Sequence, residues 1–285
     1  MHDLADKVFR IGVVAASSRF PQALADQLAA HVAGRFPGGE VQLVFDSAAF
    51  VPHGHFAGDD ATRARSVLAF ANDPAVDAVW FGRGGYGSCR IAETVVAGVT
   101  DVARSKSWLG YSDAGTLLAG LYRAGCQHLA HGPMGGDILR PGGAAAIDRA
   151  LDWLTTGAAG ALEPHVDDWP TAAFNVSILS ALMGTAMEPD LTGHVLMLEE
   201  VSEPLYRLDR ALFHLTGQAA IRRVAGIRLG RVGDIIENDP AFHLTPEEMA
   251  RDWCERSGIA YLGAADIGHD AENKIVPFGL WRGVT

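Results

Sequence analysis

Cysteine is scarce in this 285-residue chain, which has three: Cys89, Cys126 and Cys254. Their number is odd, their spacing is wide and no Cys-x-x-Cys occurs, which excludes a disulfide framework and a zinc knuckle and fits a reducing compartment. Long apolar runs are missing as well. None approaches the ~18 residues of a membrane span, and the polar N-terminus (Met-His-Asp-Leu-Ala-Asp-Lys) lacks the apolar core of a secretory signal. We therefore expect a soluble cytoplasmic protein that meets no membrane. Positive charge is in deficit, with 23 Lys and Arg against 34 Asp and Glu and a net charge of −11. A general nucleic-acid binder needs a basic face and is excluded; a locally basic pocket for a small anion is not. There is no internal repeat and no low-complexity tract.

What is present is a core. Hydrophobic residues make up 48% of the chain and charged residues 20%, enough for one large domain or two medium ones. Short apolar strands at 8–16, 41–45, 76–81 and 107–111 alternate with amphipathic helices at 22–36, 60–72, 91–99 and 113–124. The helix at 60–72 is expected to turn Val67, Leu68 and Phe70 inward and Arg63 and Arg65 outward. Alternation with short turns implies an α/β fold with a doubly wound, mostly parallel sheet. Residues 127–136 read as a loop. Composition shifts at 141–170, where glycines, prolines and a short helix at 144–154 look like a crossing between domains. Beyond it, strands at 194–200, 224–232, 259–265 and 273–278 and helices at 204–218 and 246–257 follow no regular alternation. We expect an N-terminal domain over 1–140, a linker over 141–170 and a smaller, strand-rich α/β domain over 171–285.

Ligands on doubly wound sheets bind beyond the carboxyl ends of the strands, and two segments fall there. Gly82-Arg83-Gly84-Gly85-Tyr86-Gly87 follows one strand; it is neither Gly-x-Gly-x-x-Gly nor a Walker loop. Gly110-Tyr111-Ser112-Asp113-Ala114 follows the next, close to the nucleophile elbow Gly-x-Ser-x-Gly. Taken alone, Ser112 before an apolar helix is a helix cap. With the glycine loop beside it, the same serine becomes a candidate nucleophile and the loop N–H groups a candidate oxyanion hole. A serine hydroxyl needs an imidazole to take its proton and a carboxylate to orient that imidazole. His131 and His269 both qualify as base, and the strand at 194–200 ends in adjacent carboxylates, of which only one can face a given side. His53 and His55, two apart on a loop with no third ligand nearby, do not make a metal site.

These segments, read together, resemble the LD-carboxypeptidases, the serine peptidase family that includes the microcin C self-immunity peptidases. The resemblance rests on Phe56-Ala57-Gly58-Asp59-Asp60 with Arg63-Ala64, on the run from Val79 to Ser88, on Gly110-Tyr111-Ser112-Asp113 and on His131-Gly132-Pro133-Met134. It continues through Leu198-Glu199-Glu200-Val201, Tyr206-Arg207-Leu208-Asp209-Arg210, Gly268-His269 and Pro277-Phe278-Gly279. It implies a triad with Ser112 as nucleophile, His269 as base and Glu199 as orienting carboxylate. It implies an oxyanion hole of the Gly85 and Asp113 N–H groups, with Arg83, Gly84 and Tyr86 at the substrate. It further implies two domains with the site between them, a homodimer, and no metal or cofactor. The implied activity is release of the terminal D-alanine of a murein tetrapeptide at an L,D peptide bond, in cell-wall recycling. A microcin-C-like peptide–nucleotide conjugate is the alternative substrate and would call on an aromatic residue such as Trp169 or Phe174 to stack a base; a non-catalytic relative would show a broken triad. The chain departs from the family pattern at Gly115, which precedes Thr116, and at Ala173-Phe174 before Asn175.

Overall fold

The apolar run near the N-terminus enters the molecule as a buried strand. The computed structural model describes residues 7–166 and 169–282; residues 1–6 of the polar N-terminus and Asp167-Asp168 of the expected crossing lie outside them. β1 (Phe9–Val14) leads into α1 (Gln22–Arg35), which buries Leu24, Leu28 and Val32 one turn apart, and then β2 (Val41–Phe45). A small hairpin of β3 (Pro52–His53) and β4 (Phe56–Ala57) occupies the expected loop. α2 (Asp60–Asn72) begins where the Asp59 carboxylate accepts the Thr62 N–H. β5 (Ala78–Phe81), α3 (Ser88–Gly98), the single turn α4 (Asp101–Arg104), β6 (Ser107–Gly110) and α5 (Gly115–Arg123) follow.

Residues 127–136 are not all loop. β7 (His128–His131) pairs in parallel with β6 over four residues. His-Leu-Ala-His has little intrinsic strand preference; the exposed edge of β6 recruits it. α6 (Gly143–Thr156) lies in the stretch expected to cross between domains, yet Ile147, Leu151 and Leu154 pack into the same core as Ile11, Trp80 and Leu109. The second half runs β8 (Thr171–Asn175), α7 (Val176–Leu182), β9 (Val195–Val201), α8 (Leu205–Gly217), β10 (Gly226–Gly233), α9 (Pro246–Ser257), β11 (Tyr261–Ala264) and β12 (Val276–Pro277). Its strands and helices do alternate. The period is hidden in the sequence because α7 is short and the connections at 183–194 and 234–245 are long.

Two sheets result. The first has the order β12-β7-β6-β5-β1-β2, parallel throughout except for β12. The second, β11-β10-β9-β8, is parallel throughout. The chain winds outward from β1 in both directions, so the switch point lies between β1 and β5, where the 82–87 loop emerges. α1 and α6 cover one face of the first sheet. α2, α3 and α5 cover the other, and that core runs on without a break through Phe174, Leu179, Leu208 and Ile227 of the second unit. The last strand, expected within the second unit, instead returns to the first sheet and pairs antiparallel with β7. Among the described residues no helix is long and apolar enough to cross a membrane.

Arg63 is a further correction. It faces inward and is fully buried. Its guanidinium donates to the carbonyls of Ala16 and Gly87 and to the Asp60 carboxylate, and lies 4.6 Å from the centre of the Phe56 ring. A buried arginine survives because its fixed fork of donors finds acceptors on three sides. It ties together the loops after β1 and β5, which flank the switch point.

Candidate active site

β6 ends at Gly110, Tyr111 stays extended at φ −151°, and Ser112 then turns left-handed at φ +58°. For a residue with a side chain this is a strained conformation, and strain of this kind concentrates at functional turns. The N-cap position of the helical turn that follows is held by Tyr111, with Ser112 the first residue inside it, and the Ser112 hydroxyl is in no side-chain hydrogen bond among the described residues, so the capping reading of this serine does not hold. The side chain that secures the turn is its neighbour's: the buried Asp113 carboxylate accepts the Ser88 N–H at 2.8 Å and the Ser17 hydroxyl. Asp113 thereby fastens the serine turn to the start of α3 and to the loop after β1.

The glycine loop passes directly over the serine. A Cβ on Gly84 would lie 2.7 Å from Ser112 Oγ, and one on Gly85 would lie 2.4 Å from Ser18 Oγ. Gly85 is also at φ +117°, so both positions require glycine. The N–H groups of Gly85 and Asp113 have no protein acceptor among the described residues. Ser112, Gly84, Gly85, Arg83 and His269 line one cavity of about 350 Å³, whose wall also includes Tyr111, Met134, Asp137 and Arg140. Tyr86 is not part of that wall; it is 52% exposed and packs against the rings of His55 and Phe56. Of the expected substrate contacts, Arg83 and Gly84 reach the cavity and Tyr86 does not.

His269 comes from the loop after β11 and Glu199 from the end of β9. His269 Nδ1 and Glu199 Oε2 are 2.7 Å apart, with the carboxylate wholly buried. Burial pushes the Glu199 carboxyl above its ordinary range, and the hydrogen bond from the imidazole draws it back. With Nδ1–H donated to a carboxylate, Nε2 is left as the proton acceptor. The adjacent carboxylate does different work: Glu200 projects to the opposite side and accepts the Ser177 N–H at 2.7 Å, at the start of α7. The loop carrying His269 is fixed on both flanks. The Gly268 N–H donates to Asn273 Oδ1 at 3.1 Å, and Arg231 forks onto Asp270 and Asp266.

His131, the other candidate base, lies inside β7, buried and edge-on to the Tyr111 ring. Burial, with His269 nearby, depresses its pKa to about 3, and it does not line the cavity. It is a neutral core histidine. Residues the sequence did not single out are Tyr111, Asp137 and Arg140. The Tyr111 hydroxyl donates to Asp137 Oδ1 at 2.9 Å, and its ring lies 4.8 Å from that of His269. Arg140 Nε donates to the same Asp137 oxygen at 2.8 Å. The one available signal was Asp137 three residues before Arg140, an ordinary helical spacing for an ion pair.

A parallel-sheet scaffold with a left-handed serine at a strand end, a glycine loop over it and a histidine–carboxylate pair across the cavity defines the serine-hydrolase class of site. The chain belongs to the LD-carboxypeptidase family. The N-terminal domain model of that family matches residues 11–132 and the C-terminal domain model residues 171–283. The murein tetrapeptide carboxypeptidase of Pseudomonas aeruginosa is 27% identical over 79% of this chain and 78% of that one. A Streptomyces coelicolor protein with a provisional carboxypeptidase name is 32% identical over 79% of this chain and 74% of its own. Among solved structures, the muramoyltetrapeptide carboxypeptidase from Oxalobacter formigenes aligns with a TM-score of 0.78 at 22% identity, over 94% of this chain and 93% of that one. The microcin C7 self immunity protein aligns with a TM-score of 0.76 at 16% identity, over 95% and 91%; at such identities the fold is what is shared. The protein is a serine-type carboxypeptidase.

Proposed function

We propose that the chain removes the terminal D-alanine from a murein tetrapeptide by a Ser112–His269–Glu199 mechanism, in the recycling of cell-wall peptides. The observation that carries this reading is the buried Glu199–His269 pair facing the same cavity as a serine held left-handed under a glycine loop. His269 Nε2 takes the Ser112 proton as Oγ attacks the carbonyl of the L,D bond. The oxyanion forms against the N–H groups of Gly85 and Asp113, which need no reorganisation to receive it. The carbon–nitrogen bond then breaks, and the proton on His269 passes to the departing amine of D-alanine. Water attacks the acyl-enzyme by the reverse sequence, giving the tripeptide acid and the free serine. No hydrogen bond joins Ser112 Oγ to the imidazole among the described residues, and this contact is expected to tighten when substrate fills the cavity. The name of the Pseudomonas aeruginosa relative supports the murein substrate, and three free thiols fit a cytoplasmic site of action.

Mass spectrometry of murein tetrapeptide after incubation tests the reading. Loss of one alanine is expected with the wild type and none with Ser112→Ala. An intact tetrapeptide, alongside cleavage of an aminoacyl-nucleotide conjugate, would overturn it in favour of the microcin-type substrate. Of the two aromatic residues available to stack a base, Phe174 is buried in the core and Trp169 alone is exposed.

A further inference from the structure

A carboxypeptidase differs from an endopeptidase in recognising the chain's terminal carboxylate, and a cation beside the serine is the simplest means of doing so. We infer that Arg140 is that cation: its guanidinium binds the carboxylate of the departing residue and determines specificity for a free C-terminus. The inference rests on the peptidase reading above and names the recognition element of the same site. Two arginines line the cavity that holds Ser112 and His269: Arg83 and Arg140. Arg83 contributes one long bond, from Nη1 to the Arg19 carbonyl at 3.3 Å. Arg140 is held differently. Asp137, buried and itself receiving the Tyr111 hydroxyl and the Met134 N–H, grips Arg140 through Nε.

Among the described residues Nε, held by Asp137, is the one guanidinium nitrogen in a hydrogen bond, and the Tyr111 hydroxyl lies close by, so both terminal nitrogens remain for a ligand on a guanidinium tethered at one end. A planar pair of donors tethered in this way is what a carboxylate accepts in bidentate fashion, with less ordering left to complete on binding than for a free side chain. Asp270, the nearby carboxylate on the His269 loop, feels the charge of Arg140 but is gripped by Arg231 and forms no ion pair with Arg140 among the described residues. The terminal carboxyl carbon is three bonds from the scissile carbonyl carbon, so the cation has to share the serine's own cavity, as Arg140 does.

The test compares an L,D-peptide ending in free D-alanine with its C-terminal amide, on wild type, Arg140→Met and Arg83→Met. The wild type is expected to prefer the acid. Arg140→Met should lose about 10- to 100-fold in kcat/KM on the acid, mainly through KM, and stay within about threefold on the amide. Arg83→Met should keep the preference. Equal losses on acid and amide would show a packing role and overturn the assignment. So would a preference that survives Arg140→Met or disappears with Arg83→Met. Binding of both peptides to Ser112→Ala and to Ser112→Ala/Arg140→Met reads recognition without turnover. If the wild type cleaves neither peptide, the proposed function fails. In that case acid-selective binding that disappears with Arg140 still upholds the carboxylate anchor, and unselective binding overturns it.

Discussion

Ser112 and Gly84 are held together so closely that neither position tolerates a change of shape. Gly84→Ala places a methyl 2.7 Å from Ser112 Oγ, and either the loop or the serine has to move. We expect kcat to fall about 100-fold or more while the melting temperature changes little, since misplacement by an ångström at a reacting group has effects of that size; steady-state kinetics and circular dichroism check this. His131 gives a pH signature of its own. Its folded-state pKa of about 3 lies below the ordinary 6.5, so the unfolded chain binds the extra proton between those values and stability falls as pH falls through that window. Replacing it with asparagine should flatten the decline, by roughly 2 kcal/mol between pH 6.5 and 5, read from denaturant melts across pH. An unchanged slope would mean the histidine titrates normally.

At the scale of elements, the end of β9 carries two carboxylates with separate duties, because side chains alternate along a strand. Glu199 serves the imidazole and Glu200 serves the backbone at the start of α7. Glu199→Gln should reduce kcat by about 10²- to 10⁴-fold without weakening the fold. The sign follows from linkage: burial raises the folded-state pKa of Glu199, so ionising it at neutral pH opposes folding, and an amide removes that opposition. Glu200→Ala should do the reverse, leaving kcat within about threefold and destabilising by about 1–3 kcal/mol as the Ser177 N–H loses its partner. Urea titration and turnover measured on both variants separate the two roles. The pair of glutamates was legible in the sequence, and so was the rule that they diverge. Strand alternation alone leaves open which one meets the histidine, since that depends on the register of β9 against β8 and β10; the family resemblance is what pointed to Glu199.

The molecule as a whole is joined more tightly than a linker between two units implies. One apolar core passes from α3 and α5 into α7 and α8, and β12 leaves the second half to pair with β7 in the first sheet. We therefore expect a single cooperative transition in scanning calorimetry; two resolved transitions would show that the units unfold independently. Separate expression of residues 171–282 should give an unfolded or aggregated product, because its face toward α5 would be left apolar and exposed.

Local periodicity and helix-start signals by themselves determined most of the elements of this protein: α1 from Leu24, Leu28 and Val32 one turn apart, and α9 from Thr245, Pro246 and Glu248 ending at Gly258. Those signals lie within one or two turns of the residues they act on, so a linear reading detects them. Motif spacing likewise drew attention to Ser112, the 82–87 loop, Glu199 and His269. Only the tertiary structure decided what depends on distant surfaces meeting. It turned Arg63 inward because three acceptors converge there, made a strand of His128–His131 because β6 offered an edge, and removed Tyr86 from the cavity wall. It also brought Arg140 to the serine through Asp137. Burial, sheet register and the convergence of partners far apart in the chain are set by packing, and packing is not written in any one segment.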